Sequence, residues 1–227
     1  IRLSLVGSEM CIRDSYKTLI NAAKKSINNI VSTINEEFNN KNHQFHSIVD
    51  YDNFIDSINQ VCKNRDIDLI IMGTKGASGL DKVLFGSNTV RVMQRCKAPV
   101  LAIPNGCEFK NLDNIALATT NSKSFKIEDL EVLREIMTMN KSSLQIFHLA
   151  DQNHLVYDTD DNITFFNNNF SQLRHEFVET AKDDMFNVVY DYIEKNNIDM
   201  LVIMNKKHSF LERLFTTHTV EKFAFKI

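Results

Sequence analysis

Glycine is scarce in this chain, with six among 227 residues, and none falls between residues 107 and 227. Close approach of backbone to a bulky ligand, which glycine permits, is therefore excluded from the second half and confined to the first. Proline occurs twice, at Pro99 and Pro104, and both punctuate one short stretch. The four cysteines, Cys11, Cys62, Cys96 and Cys107, form no CxxC pair and no Cys/His spacing that would hold zinc. Free thiols in a reducing cytoplasm are the expectation, with Cys62 and Cys96 serving as small hydrophobes on apolar helix faces. His43 and His46 stand three apart, so in a strand they point to opposite sides, and no metal site is assigned. Neither charge dominates: 26 basic against 29 acidic side chains give a net charge of -3, with no basic block to follow a nucleic-acid backbone. The apolar runs at 69–72 and 200–204 fall far short of the roughly 20 residues a membrane helix needs.

What is present is concentrated in residues 68–104, DLIIMGTKGASGLDKVLFGSNTVRVMQRCKAPVLAIP. Residues 69–72 are a continuous apolar run, the pattern of a strand buried on both faces of a parallel sheet. Gly73, Gly76 and Gly79 follow, with Lys75 inside the loop. Gly86-Ser87 opens an amphipathic helix with Val90 and Met93 on one face and Ser87 as its cap. Pro99 breaks the helix, and 100–103 is the next buried strand. In an open parallel sheet ligands bind beyond the carboxyl ends of the strands, and a helix N-terminus there offers free N–H groups to a phosphate. The stretch is a candidate phosphate cradle.

The spacing Gly73-x2-Gly76-x9-Gly86-Ser87, directly after a buried strand, resembles the signature of the ATP-binding branch of the universal stress protein family, and the likeness continues through VLFGSNTVRVMQRCKAPVLAIP. The resemblance implies an α/β fold with parallel sheets in the strand order 3-2-1-4-5. It implies ATP as the ligand, with or without magnesium, held around Met72, Gly73, Gly76, Gly86, Ser87 and Thr89. The loop is neither a Walker A loop nor a dinucleotide fingerprint.

Upstream, GSEMCIRDS resembles a translated sequencing adapter, so residues 1–15 are set aside as a non-native prefix. A helical period runs through Tyr16, Leu19, Ala23, Ile27, Ile30, Ile34 and Phe38. Residues 43–49 alternate as a strand, and a helix over 53–64 turns Phe54, Ile58, Val61 and Cys62 inward. Set beside the family, the first domain, 16–106, is expected to lack the opening strand, helix and second strand, and with them the Asp that contacts adenine.

Past a linker at 105–108 the order of elements restarts. Strands are expected at 115–118, 144–149 and 176–179, helices at 126–139 and 184–196, and a polar excursion over 151–169 with a brief strand at 163–166. Asp158, Asp160 and Asp161 lack the glycine and closing Glu of a calcium loop. Residues from Asp199 align without gaps on those from Asp68, so the chain reads as a tandem duplication whose second domain, 107–227, is degenerate and lacks its last strand. Met204, Lys207 and Thr217 stand where the first copy has Gly73, Gly76 and Gly86, and Thr120 where the family's strand ends in an Asp. Lys206, Lys207 and His208 read as a solvated loop.

No nucleophile and base, carboxylate dyad or metal cluster is evident. A binding or signalling module is therefore expected rather than an enzyme, and the resemblance implies a cytoplasmic, nucleotide-binding one in stress signalling. Its second repeat is expected to be a structural module that pairs with the first or in a homodimer through 100–103. Neither nucleic acid nor membrane is an expected partner. A nucleotide-hydrolysing enzyme of related fold and a ligand-free interaction protein are the alternatives.

Overall fold

The computed structural model describes residues 4–74, 87–104, 106–119, 125–151, 159–171, 173–180 and 185–204. The chain divides into two compact units, 1–57 and 58–227.

The first unit holds α1 (Ser4–Phe38), which runs unbroken through the residues set aside as a prefix, and the start of α2 (Phe54–Arg65). The half-buried side of α1 is Ile20, Ala23, Ile27, Val31 and Ile34, whereas Leu19, Ile30 and Phe38 are exposed. The inward stripe is thus rotated from the expected one: spacings of three and four fit more than one face when apolar residues flank it. The expected strand at 43–49 is instead irregular and largely exposed. A strand exists through its ladder, and these residues pair with no strand among the described residues. Asn53 caps α2, its Oδ1 accepting from Ile55 N at 3.1 Å. The buried residue of α2 is Ile55, with Phe54 left exposed.

Among the described residues, the second unit contains two parallel sheets. In the first, β1 (Ile70–Gly73) pairs with β2 (Val100–Ile103), Ile70 opposite Val100 and Gly73 opposite Ile103, with α3 (Ser87–Arg95) between them in the chain. The second comprises β3 (Asn114–Thr119), β4 (Ser143–Asp151), β5 (Leu173–Thr180) and β6 (Met200–Ile203) in the order β5-β4-β3-β6. Counted within this sheet, the order is third, second, first, fourth, and every pairing is parallel. This agrees with the order the resemblance implies. The helices between its strands are α4 (Glu131–Asn140), preceded by a 3₁₀ turn over Ile127–Leu130, then α5 (Thr159–Asn169) and α6 (Met185–Asn196).

Both faces of this sheet are covered, as a parallel sheet requires. Ile115 and Leu117 of β3, with Leu144 and Ile146 of β4, pack against Leu133 and Met137 of α4 and Phe166 of α5. The alternate residues Ala116, Ala118 and Phe147 pack against Val189, Tyr192 and Ile193 of α6. The expected brief strand at 163–166 is part of α5. Asn162, Phe166 and Phe170 recur every four residues and are all buried, and Phe166 meets Phe125 at a centroid distance of 4.8 Å. Burial of that face outweighs the local strand preference of Ile-Thr-Phe-Phe.

The shortage of glycine shows at the helix ends. Asn39, Asp66, Lys141 and Asn197 each follow a helix and adopt positive φ, the left-handed closure that glycine commonly supplies. Three of the four are Asn or Asp, which tolerate that conformation best. Lys141 closes α4 through its N–H to Met137 O.

On the α6 side, Tyr192 Oη donates to Gln145 Oε1 at 2.9 Å and the Tyr192 ring stacks on Phe147. Burial first, then the Glu176 carboxylate, push the Tyr192 phenol up to about 12, with Arg174 pulling the other way. An unfolded tyrosine ionises near 10, so above that pH the unfolded chain releases a proton that the folded chain keeps. This stabilisation is complete below about pH 10 and is lost as pH rises towards about 12, on the order of 2 kcal/mol in all. Tyr192→Phe is expected to flatten the alkaline fall in stability, read from urea midpoints across that range. An unchanged fall would assign it to other groups.

Candidate functional site

The candidate cradle is built where β1 ends and α3 begins. β1 runs alongside β2, and Thr74 N continues the ladder by donating to Ile103 O at 3.0 Å. Met72 is half-buried in β1, and Gly73 is its exposed last residue. Sixteen residues later, Thr89 in the first turn of α3 is 2% exposed, and its Oγ1 donates to Gly73 O at 3.0 Å. That bond ties the N-terminal turn of the helix to the carboxyl end of the strand.

Of the six residues assigned from the sequence, the fold thus brings Met72, Gly73 and Thr89 together. Ser87 is the first residue of α3 rather than the residue before it, where a cap stands. Gly76 and Gly86 lie outside the described residues, as do Lys75 and Gly79. The inner face of α3 is centred on Thr89 and Val92, both buried, with Val90 and Met93 half-buried at its sides.

Two observations bear on whether an anion fits here. Gly73 has neither a positive φ nor a close neighbour: a Cβ built on it meets nothing within 4 Å. Neither backbone strain nor packing among the described residues explains why this position lacks a side chain, and the space in front of it is open. Thr74 is 2% exposed, and its buried Oγ1 has no hydrogen-bond partner among the described residues. A buried hydroxyl without a partner is costly, on the order of 1–3 kcal/mol, and a phosphate oxygen accepts from such a donor. The first N–H groups of α3 are further donors without intrahelical partners. The donor set fits a phosphate group.

Thr74 was not singled out in the sequence, where it occupies a variable position of the glycine pattern. Its place directly after a strand-ending glycine was a signal, but its burial was not legible.

The matching place in the second sheet is the switch between β3 and β6, neighbours that leave in opposite directions along the sheet. Thr119, at the end of β3, is buried, and β6 ends at Ile203. Thr120 and residues 205–227, with Lys206, Lys207, His208 and Thr217 among them, lie outside the described residues. So does Asp158; Asp160 and Asp161 fall within α5. Among the described residues no group of three or more His, Cys, Asp or Glu is placed to hold a metal ion. No described helix is long and apolar enough to cross a membrane.

Residues 13–104 match the model of the Universal stress protein family. None of the curated proteins matches the chain. Among solved structures, a universal stress protein from Archaeoglobus fulgidus DSM 4304 superposes with a TM-score of 0.58 at 16% identity, over 82% of this chain and 69% of that one. A functionally unknown protein from Pseudomonas aeruginosa PAO1 superposes with a TM-score of 0.54, also at 16% identity, over 87% of this chain and 72% of that one. At such identity the structural likenesses speak for the fold alone. The family match spans the stretch from α1 through β2 that contains the candidate cradle. Over residues 13–104, less than half of the chain, the similarity is to the universal stress protein family.

Proposed function

We propose that the chain binds an adenine nucleotide, ATP, at the carboxyl end of β1 and acts as a nucleotide-responsive module in cytoplasmic stress signalling. The observation that carries this reading is the buried hydroxyl of Thr74, without a partner among the described residues, beside the open space at Gly73. Thr74 Oγ1 and the first N–H groups of α3 would take the phosphates. Thr89 would hold that helix in place through its bond to Gly73 O, and Gly76 and Gly86 would admit the ligand closely. The nucleotide, when bound, supplies the phosphate charge that these donors meet. The segment after Gly106, which has no glycine, serves in this reading as a structural and pairing module.

Thr74→Val tests the proposal through two effects of opposite sign. Without ligand the variant is expected to be more stable than the parent by about 1–3 kcal/mol, because a buried hydroxyl without a partner is removed. With ATP at a hundredfold excess over its dissociation constant, the parent gains about 2.7 kcal/mol and the variant clearly less. Thermal unfolding with and without ATP reads both. An equal gain in the two proteins would remove Thr74 from the site, and no gain in the parent would overturn nucleotide binding. Phosphate release from ATP would instead favour a hydrolase.

A further inference from the structure

α2 touches the C-terminal end of α3. Asn59 Nδ2 reaches Arg95 O, the last residue of α3, at 3.5 Å. Cys62 stands three residues after Asn59, on the same side of α2. Cys96 follows Arg95 directly, with its N–H bonded back to Val92 O at 2.9 Å. Both cysteines are half-buried free thiols. Burial, and after it the nearby Cys62, push the Cys96 thiol up. Cys107, the other described free cysteine, lies in the turn after Pro104, its N–H on Pro104 O at 3.2 Å.

We propose that Cys62 and Cys96 are a redox-sensitive pair that closes into a reversible disulfide between the ends of α2 and α3. A disulfide needs Cα atoms about 4.4–6.8 Å apart. Cys62 lies in the last turn of its helix and Cys96 just beyond the end of its own. Helix ends fray and adjust at little cost, so the approach is made where the backbone yields most readily. With a hydroperoxide as oxidant, the Cys62 thiolate attacks one peroxide oxygen, the O–O bond breaks, and a sulfenic acid forms as hydroxide leaves. Cys96 sulfur then attacks the Cys62 sulfur, the S–S bond forms and the S–O bond breaks, and the sulfenic hydroxyl leaves with the Cys96 proton as water. Two thiols and one hydrogen peroxide give one disulfide and two waters. Cys62 acts first because burial disfavours the thiolate of Cys96. The closed loop runs through β1 and α3, so oxidation pins both ends of the segment that carries Gly73 and Thr89. The proposal stands whether or not that segment binds nucleotide.

The test uses the full chain, reduced and then treated with hydrogen peroxide under native conditions. Free thiols are expected to fall from four to two, and peptide mapping is expected to recover Cys62 linked to Cys96 within one chain. The thermal midpoint is expected to rise, and dithiothreitol is expected to reverse all three changes. Cys62→Ser and Cys96→Ser should each abolish the linked peptide and the rise, while Cys107→Ser keeps both. A bridge through Cys107, a bridge between chains, or oxidation of both cysteines to sulfinic acid without a bridge would overturn the pairing.

Discussion

Phe147→Ala is expected to destabilise the chain by about 3–5 kcal/mol, the range for truncating a buried phenylalanine. Phe147 is 1% exposed in β4, and its ring lies 4.1 Å from that of Tyr192, centroid to centroid. It belongs to the cluster through which Ala116, Ala118, Val189 and Ile193 join the sheet to α6. The two alanines leave room beneath α6 that the aromatic pair fills, so truncation leaves a cavity that neighbouring side chains cannot close. A loss of this size is a large part of the ~5–15 kcal/mol that holds a typical domain together. Guanidinium unfolding followed by circular dichroism measures it. Phe109→Ala is the control: this phenylalanine is 84% exposed, and its loss should change stability by no more than about 0.5 kcal/mol. Similar losses in the two variants would refute the assignment of the core.

Gly73→Val is expected to leave the fold intact and to weaken ATP binding by a hundredfold or more, about 2.7 kcal/mol. The position lies in a strand, where a β-branched residue is favoured. The backbone there is not in the left-handed region, and an added Cβ meets no neighbour. On packing alone valine should be accepted at Gly73, and any harm it does must fall on what occupies the open space. Gly76→Val should have the same effect on binding, whereas Lys207→Ala, in the segment without glycine, should change it little. Titration calorimetry with ATP, alongside thermal midpoints, separates the two readouts. Full affinity in Gly73→Val would show that the open space is not the nucleotide site, and equal effects from Gly76→Val and Lys207→Ala would sink the distinction between the two halves.

By itself the sequence determined the class of the fold and the location of the candidate site. Continuous apolar runs such as 69–72, 100–103 and 200–204, alternating with helical periods, leave few solutions other than a parallel sheet with helices on its faces, because only that arrangement buries both sides of such strands. The glycine spacing likewise marked the end of β1 as the place where backbone and ligand could meet. Tertiary structure decided what depends on partners distant in the chain. Residues 43–49 alternate like a strand, yet a ladder needs a neighbour, and local alternation cannot supply one. The Ile-Thr-Phe-Phe run became helix because Asn162, Phe166 and Phe170 face one side, where Phe166 and Phe170 join the core beneath the sheet. The stripe on α1 turned to Ile20 and Val31 because two adjacent faces were apolar enough to be buried. Thr74 is the sharpest case. Its identity is plain in the sequence, but its burial, with no partner for its hydroxyl among the described residues, arises only once the chain has folded.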